Sequence, residues 1–168
     1  MHGMGYRNAQ RVYDLSRLGK LNTTRGDNAR LNNAAMNVLV YMALSSIDWE
    51  DEEAKRRNPA RCYWRGWTIM ANDFGMTLPS TEQASKAFDN SLDLEELIER
   101  RTSSAKNNIS QSAKFLRDRG LIKLIKPANT FHGTNAVWLL MLGDDEENRE
   151  VERFARMRLG IPDKEGTR

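Results

Sequence analysis

Two spacings divide the apolar positions of this chain. Most of its length has helical steps, and one segment has strand-like runs. Within residues 102–119, Ala105, Ile109, Ser112, Ala113 and Leu116 recur every three or four positions and so share one helix side. Lys106, Asn107, Ser110, Gln111 and Lys114 recur as a continuous polar stripe on the opposite side. Gly120 ends this helix at the position where a positive φ is easy. Residues 121–126 and 136–142 are then short, mostly apolar runs stopped by Pro127 and Gly143. The loop between them holds Asn129, Gly133 and Asn135, which tolerate turn geometry, so the pair predicts a β-hairpin.

The same reading places helices on either side. Asn32 or Asn33 caps a helix whose apolar stripe is Ala35, Met36, Leu39, Val40, Met42, Ala43 and Ile47. Residues 62–67 are dense in aromatics; part of them pairs with the hairpin as a short strand, and Trp64 and Trp67 belong to the core. A second helix is expected over 68–74, stopped by Gly75. Ser80-Thr81-Glu82-Gln83 opens another after Pro79, with Ala84, Ala87 and Phe88 as its apolar side. Residues 93–101 are helical too and continue toward the main helix; Leu94, Leu97 and Ile98 either pack inward or form a dimer contact. A last helix over 144–159 starts at Asp144 and Asp145, where carboxylates suit the helix dipole. Val151, Phe154, Ala155 and Arg158/Leu159 form its apolar side, and it either covers the core or pairs with another subunit. Residues 6–18 form either a short helix strapped over the domain or a basic arm that orders on a partner. Residues 48–61 are a charged connection broken at Asn58-Pro59. A loop covers 19–27, and the ends, 1–3 and 163–168, are loose.

Helix, glycine, strand, loop, strand is the order of a recognition helix followed by a wing. The run from Leu116 to Lys123 (L-x-x-x-G-L-I-K), with the Trp138-Leu139-Leu140 strand after it, resembles winged helix-turn-helix DNA-binding proteins. It is most like the short ones carried by actinobacterial genomes, plasmids and phages. The likeness takes in residues 32–48 as a first helix and 63–75 as a second, roughly two thirds of the chain in all. It implies a mainly α fold with a small β-hairpin (α+β). The winged-helix domain would be 31–143, with an insertion at about 77–101 where the family has a short turn. An N-terminal arm or strap (1–30), a C-terminal helix (144–160) and a flexible tail (161–168) flank it.

Composition narrows the function classes. With 168 residues, 39% hydrophobic and 29% charged, one soluble domain with its own core is expected. No run approaches a membrane span and no apolar signal core opens the chain, so a cytoplasmic protein without membrane contact is expected. The net charge of +3 hides segregation. Residues 100–126 carry eight basic side chains against Asp118 alone, and residues 55–65 carry five and no acid. The acids gather at 48–53, 82–99 and 144–152. A basic face backed by an acidic one suits a polyanion partner, and solvated helix faces are the plainer alternative.

Enzyme chemistry is not expected. The chain has no phosphate-binding glycine loop and no HExxH. Cys62 is the sole cysteine and His2 and His132 the only histidines, which argues against a zinc site and makes Cys62 a structural residue. Asp144 to Glu147 point in different directions on one helix, so no metal site is expected, and no cofactor.

The polar stripe suits DNA better. Lys106, Asn107, Ser110, Gln111 and Lys114 are the candidate base contacts, since Asn and Gln pair with adenine N6/N7 and Lys reaches guanine O6/N7 or phosphate. Arg65, Arg100, Arg101, Lys123 and Lys126 are the phosphate candidates. Asn129, Thr130, His132 and Asn135 are the wing residues placed to touch backbone or minor groove. The expected function is sequence-specific double-stranded DNA binding, as a transcription regulator or a plasmid or phage replication factor, with a homodimer expected because one helix reads few bases. The alternative is a protein–protein adaptor on the same scaffold, bound to a host polymerase or replication protein.

Overall fold

A computed structural model of the chain describes residues 4–24, 28–89 and 93–162. The ends expected to be loose (1–3 and 163–168), loop residues Gly26 and Asp27, and Ser91 of the inserted segment lie outside them. The described chain is mainly helical with a small antiparallel sheet. Its elements are α1 (Tyr6–Arg17), α2 (Asn33–Leu44), α3 (Glu52–Lys55), β1 (Cys62–Tyr63), α4 (Gly66–Asp73), α5 (Thr81–Asp89), α6 (Leu94–Asp118), β2 (Ile122–Lys126), β3 (Val137–Leu140) and α7 (Asp145–Leu159). The strand order is β1-β3-β2, with Cys62 opposite Leu139 and Ile122 opposite Leu140.

The sheet separates two apolar layers because its side chains alternate. On one face Ile122, Leu140 and Trp138 join Leu39 and Met42 of α2, Met70 of α4, and Ile109 and Leu116 of α6. On the other, Ile125, Val137, Leu139 and Cys62 pack with Val151 and Ala155 of α7. The acidic start of α7 therefore lies behind the sheet from α6. Asp144 caps α7, accepting from the Glu146 and Glu147 amides, as the sequence suggests. Asn32 caps α2 through the Ala35 amide.

Of the two readings of residues 6–18, the packed helix is correct: Ala9 and Val12 are buried against α2. Asp48 from the charged connection reaches across to cap α1, its carboxylate accepting from the Asn8 amide at 2.8 Å and the Arg7 amide at 3.3 Å. Gly5 fits there only without a side chain: its φ is +79°, and a Cβ would run into the carbonyls of Ala43 and Leu44.

Several boundaries differ from expectation. α4 starts at Gly66, before the expected Thr68, and the Tyr63 hydroxyl donates to the Gly66 carbonyl (2.7 Å) at its entry. As expected, the helical segment beginning near 93 runs on into the main helix: α6 is continuous from Leu94 to Asp118, with Asp93 as its cap. Ser80 and Gln83 make the reciprocal cap of α5, but of its expected apolar side only Ala87 is buried. Phe88 points away, at 85% exposure, and Leu94 is also exposed. Trp64 is partly exposed, not core, whereas Trp67 packs against the core. The 48–61 connection contains α3, a buried Ala60 and a fully buried Arg61.

Candidate nucleic-acid interface

The packing of α6 decides what its other side can do. Ala105, Ile109, Ser112, Ala113 and Leu116 are buried, which turns Lys106, Asn107, Ser110, Gln111 and Lys114 outward; all five are exposed. Among the described residues, Lys106, Asn107, Ser110 and Gln111 make no side-chain hydrogen bond within the chain. Lys114 is engaged with Asp118 one turn on, at 2.7 Å. The Lys114 hydrogen bond holds the Asp118 carboxyl below its ordinary range.

From Lys106 to Lys114 a helix rises about 12 Å, close to the width of a B-DNA major groove. The stripe lies mid-helix, so a duplex would meet α6 side-on.

One flank of the stripe is a groove of about 400 Å³. Its α6 side is Asn107, Ser110, Gln111, Lys114 and Arg117, and its other side is Trp67 and Trp138. The two indoles are 5.7 Å apart between centroids and tilted by 31°. They end an aromatic series that runs from Phe74 through Tyr41 and Tyr63 to Trp67. That series ties α2, β1, α4 and β3 into one support under α6. Asn135, at the base of the hairpin loop, closes over the start of α4: a Cβ on Gly66 (φ +81°) would lie 2.9 Å from its carboxamide. The hairpin loop thus packs closely against the start of α4.

The expected phosphate contacts separate into engaged and unengaged groups. Lys123 reaches across to Glu152 of α7 at 2.8 Å. Arg156 shares the same carboxylate. Burial alone would raise the Glu152 carboxyl; Lys123 and Arg156 bring it below the ordinary range. Arg65 donates to the Tyr41 hydroxyl (2.9 Å) and lies 3.7 Å from Asp73. Arg100 pairs with Glu96 one turn back, and Arg101 donates to Gln83 of α5 at 3.3 Å. Lys126 is exposed at the end of β2 and has no ion-pair partner among the described residues.

At the hairpin tip, Asn129 and Thr134 exchange backbone hydrogen bonds of 2.9 Å each. The Asn129 side chain accepts from the His132 amide at 3.2 Å, so its carboxamide oxygen serves the turn. Thr130 and His132 are exposed, and between them Phe131 is 91% exposed.

Sequence reasoning missed Trp138 and Arg117 as groove residues, the Gly66–Asn135 junction, and Phe131. Arg117 was reachable, three residues past Lys114 on the same helix side. The Gly66–Asn135 junction has no sequence signal, since it joins the start of α4 to a loop far along the chain.

Cys62 is buried beneath α7, and burial pushes its thiol up to about 12. Among the described residues no three of His, Cys, Asp and Glu gather as metal ligands, and no helix is long and apolar enough to cross a membrane. The chain matches no known protein-family model, no curated protein and no solved structure.

Proposed function

We propose that this chain binds double-stranded DNA with sequence preference, setting the polar side of α6 in the major groove and the β2–β3 hairpin beside it as a wing. One observation carries the reading: Lys106, Asn107, Ser110 and Gln111 stand exposed and unengaged along one side of a helix braced from beneath. The winged-helix assignment draws support from the order α2, β1, α4, α6, β2, β3 and from β1 pairing at the edge of the hairpin. Asn107 and Gln111 read adenines, and each bidentate contact contributes about 1–3 kcal/mol of discrimination. Lys126 and Arg117 meet phosphates and set register. The role is that of a transcription regulator or a plasmid or phage replication factor, acting as a homodimer on repeated half-sites and without a catalytic step or cofactor.

Selection of bound duplexes from a random pool at fixed ionic strength tests this. A recurrent motif should emerge, and affinity for it should fall linearly in log–log form as salt rises. Absence of a motif together with salt-independent retention would refute the proposal.

A second reading, the adaptor, has its own observation. Val40, Tyr41, Leu44, Phe74 and Met76 line a shallow groove of about 510 Å³. Leu78 and Phe88 of the inserted segment are exposed as well. Purification from host extract with a polymerase or replication protein, lost on Leu44→Asp, would favour this reading.

A further inference from the structure

The side chain least explained by the fold is Phe131. It is 91% exposed, and its one ring contact is the edge of His132 at 5.1 Å. A lone exposed apolar residue is ordinary on a protein surface. This one is distinguished by where and how it is held. The Gly133 amide donates to the Thr130 carbonyl (3.3 Å), so Phe131 occupies the first corner of a β-turn. The Asn129–Thr134 backbone pair closes the turn below it, the Asn129 carboxamide grips the His132 amide, and Gly133 supplies the left-handed residue at φ +62°. The ring is thus presented at a fixed point on the outermost corner of the hairpin. Regular pairing ends at Lys126 and Val137, so the tip projects by about three residues, roughly 10 Å at strand rise. A B-DNA minor groove is about 7.5 Å deep.

The surroundings select the occupant. From residue 119 to residue 143 there is no acidic side chain; Lys126 stands unengaged, while Lys123 is held by Glu152 of α7 and Arg119 by the Asn22 carbonyl. An acid-free stem with a free lysine suits an anionic partner, and the exposed, unengaged polar side of α6 in the same domain favours a nucleic acid over an anionic lipid surface. We infer that Phe131 is a wedge that enters the minor groove next to the α6 site and partly unstacks one base step, bending the duplex toward its major groove. This rests on the DNA-binding reading above and adds to it a fixed deformation and a preference for a flexible step, TA or CA/TG, at the wing position.

The test uses the full chain and a 30-base-pair duplex of the pool-selected sequence, with 2-aminopurine replacing one flanking adenine at a time. Phe131→Ala and Phe131→Leu are compared with the native protein for affinity, 2-aminopurine emission and bend angle by circular permutation. Native protein should brighten 2-aminopurine at one flanking step and bend the duplex by about 20° or more. Phe131→Ala should abolish both signals and bind about tenfold more weakly, with an unchanged melting curve. Phe131→Leu should restore most of the bend. Native-like bending and emission by Phe131→Ala would overturn the wedge while leaving DNA binding intact. Failure of the native protein to select any duplex would overturn both. Co-sedimentation with anionic vesicles that is lost in Phe131→Ala, with the DNA bend unchanged, would overturn the wedge in favour of a lipid surface.

Discussion

Arg61, fully buried at φ +52°, forms an ion pair with Glu147 in the first turn of α7. Its Nε donates to the Asn8 carboxamide at 3.2 Å, and Asn8 in turn donates to the Ile47 carbonyl. Arg11 bridges the same Glu147 to Glu50. One buried cation therefore joins α1, the 48–61 connection and α7. Burial pushes the Arg61 guanidinium below its ordinary value, and Glu147 provides the largest opposing interaction.

Removing one partner should cost more than removing both. Glu147→Ala leaves Arg61 uncompensated and should lower unfolding stability by about 3 kcal/mol in urea titrations. Arg61→Met combined with Glu147→Met should return to within about 1 kcal/mol of the native chain. Equal losses in the single and double variants would contradict this account of the pair.

Acid should loosen the same region. Burial would raise the Glu50 carboxyl, but the Arg11 hydrogen bond and charge hold it lower, and Lys123 and Arg156 do the same for Glu152. Both folded-state values are depressed. Their stabilisation is therefore present above the ordinary carboxylate range and is lost as pH falls through the folded values. Melting temperature should be level above about pH 5.5 and fall from about pH 4.5 downward. A chain carrying Glu50→Gln and Glu152→Gln should show a shallower decline, and an identical decline would refute the assignment.

Cys62 should be inert in the folded chain. Its thiol is pushed up to about 12 by burial, so at pH 8 almost no thiolate exists for a disulfide reagent to attack. Labelling should become stoichiometric only in denaturant. Rapid labelling under native conditions would mean that α7 lifts from the sheet.

What the sequence made legible follows the range of the interactions. The α6 stripe, the Gly120 stop, the hairpin and the Asn32 and Asp144 caps depend on residues within a few positions of one another, and each sits where its spacing put it. Arg61 misled because a basic residue in a charged run reads as solvated, yet Glu147, 86 positions away, draws it inside. Phe88 misled in the opposite direction, since helical spacing gives a face and not a partner for it. Trp67 and Trp138 have no local signature of a groove; only sheet closure brings them together under α6.

The cationic residues of the hairpin should not behave alike. Lys126 is unengaged, so Lys126→Ala should weaken duplex binding about equally across sequences and reduce the salt slope by about one. Lys123 is held by Glu152, so Lys123→Ala should change the slope less. Comparing salt titrations of the two variants decides this, and a larger slope change for Lys123→Ala would reverse the assignment.

The most direct measurement is pool selection repeated with Asn107→Ala and Gln111→Ala in one chain. Both side chains are exposed and neither is hydrogen-bonded within the chain, so the fold should melt as before. The expected result is retained, salt-sensitive binding to duplex with the recovered motif erased at the positions α6 reads. Recovery of the native motif by the double variant would show that the outward side of α6 does not read the sequence.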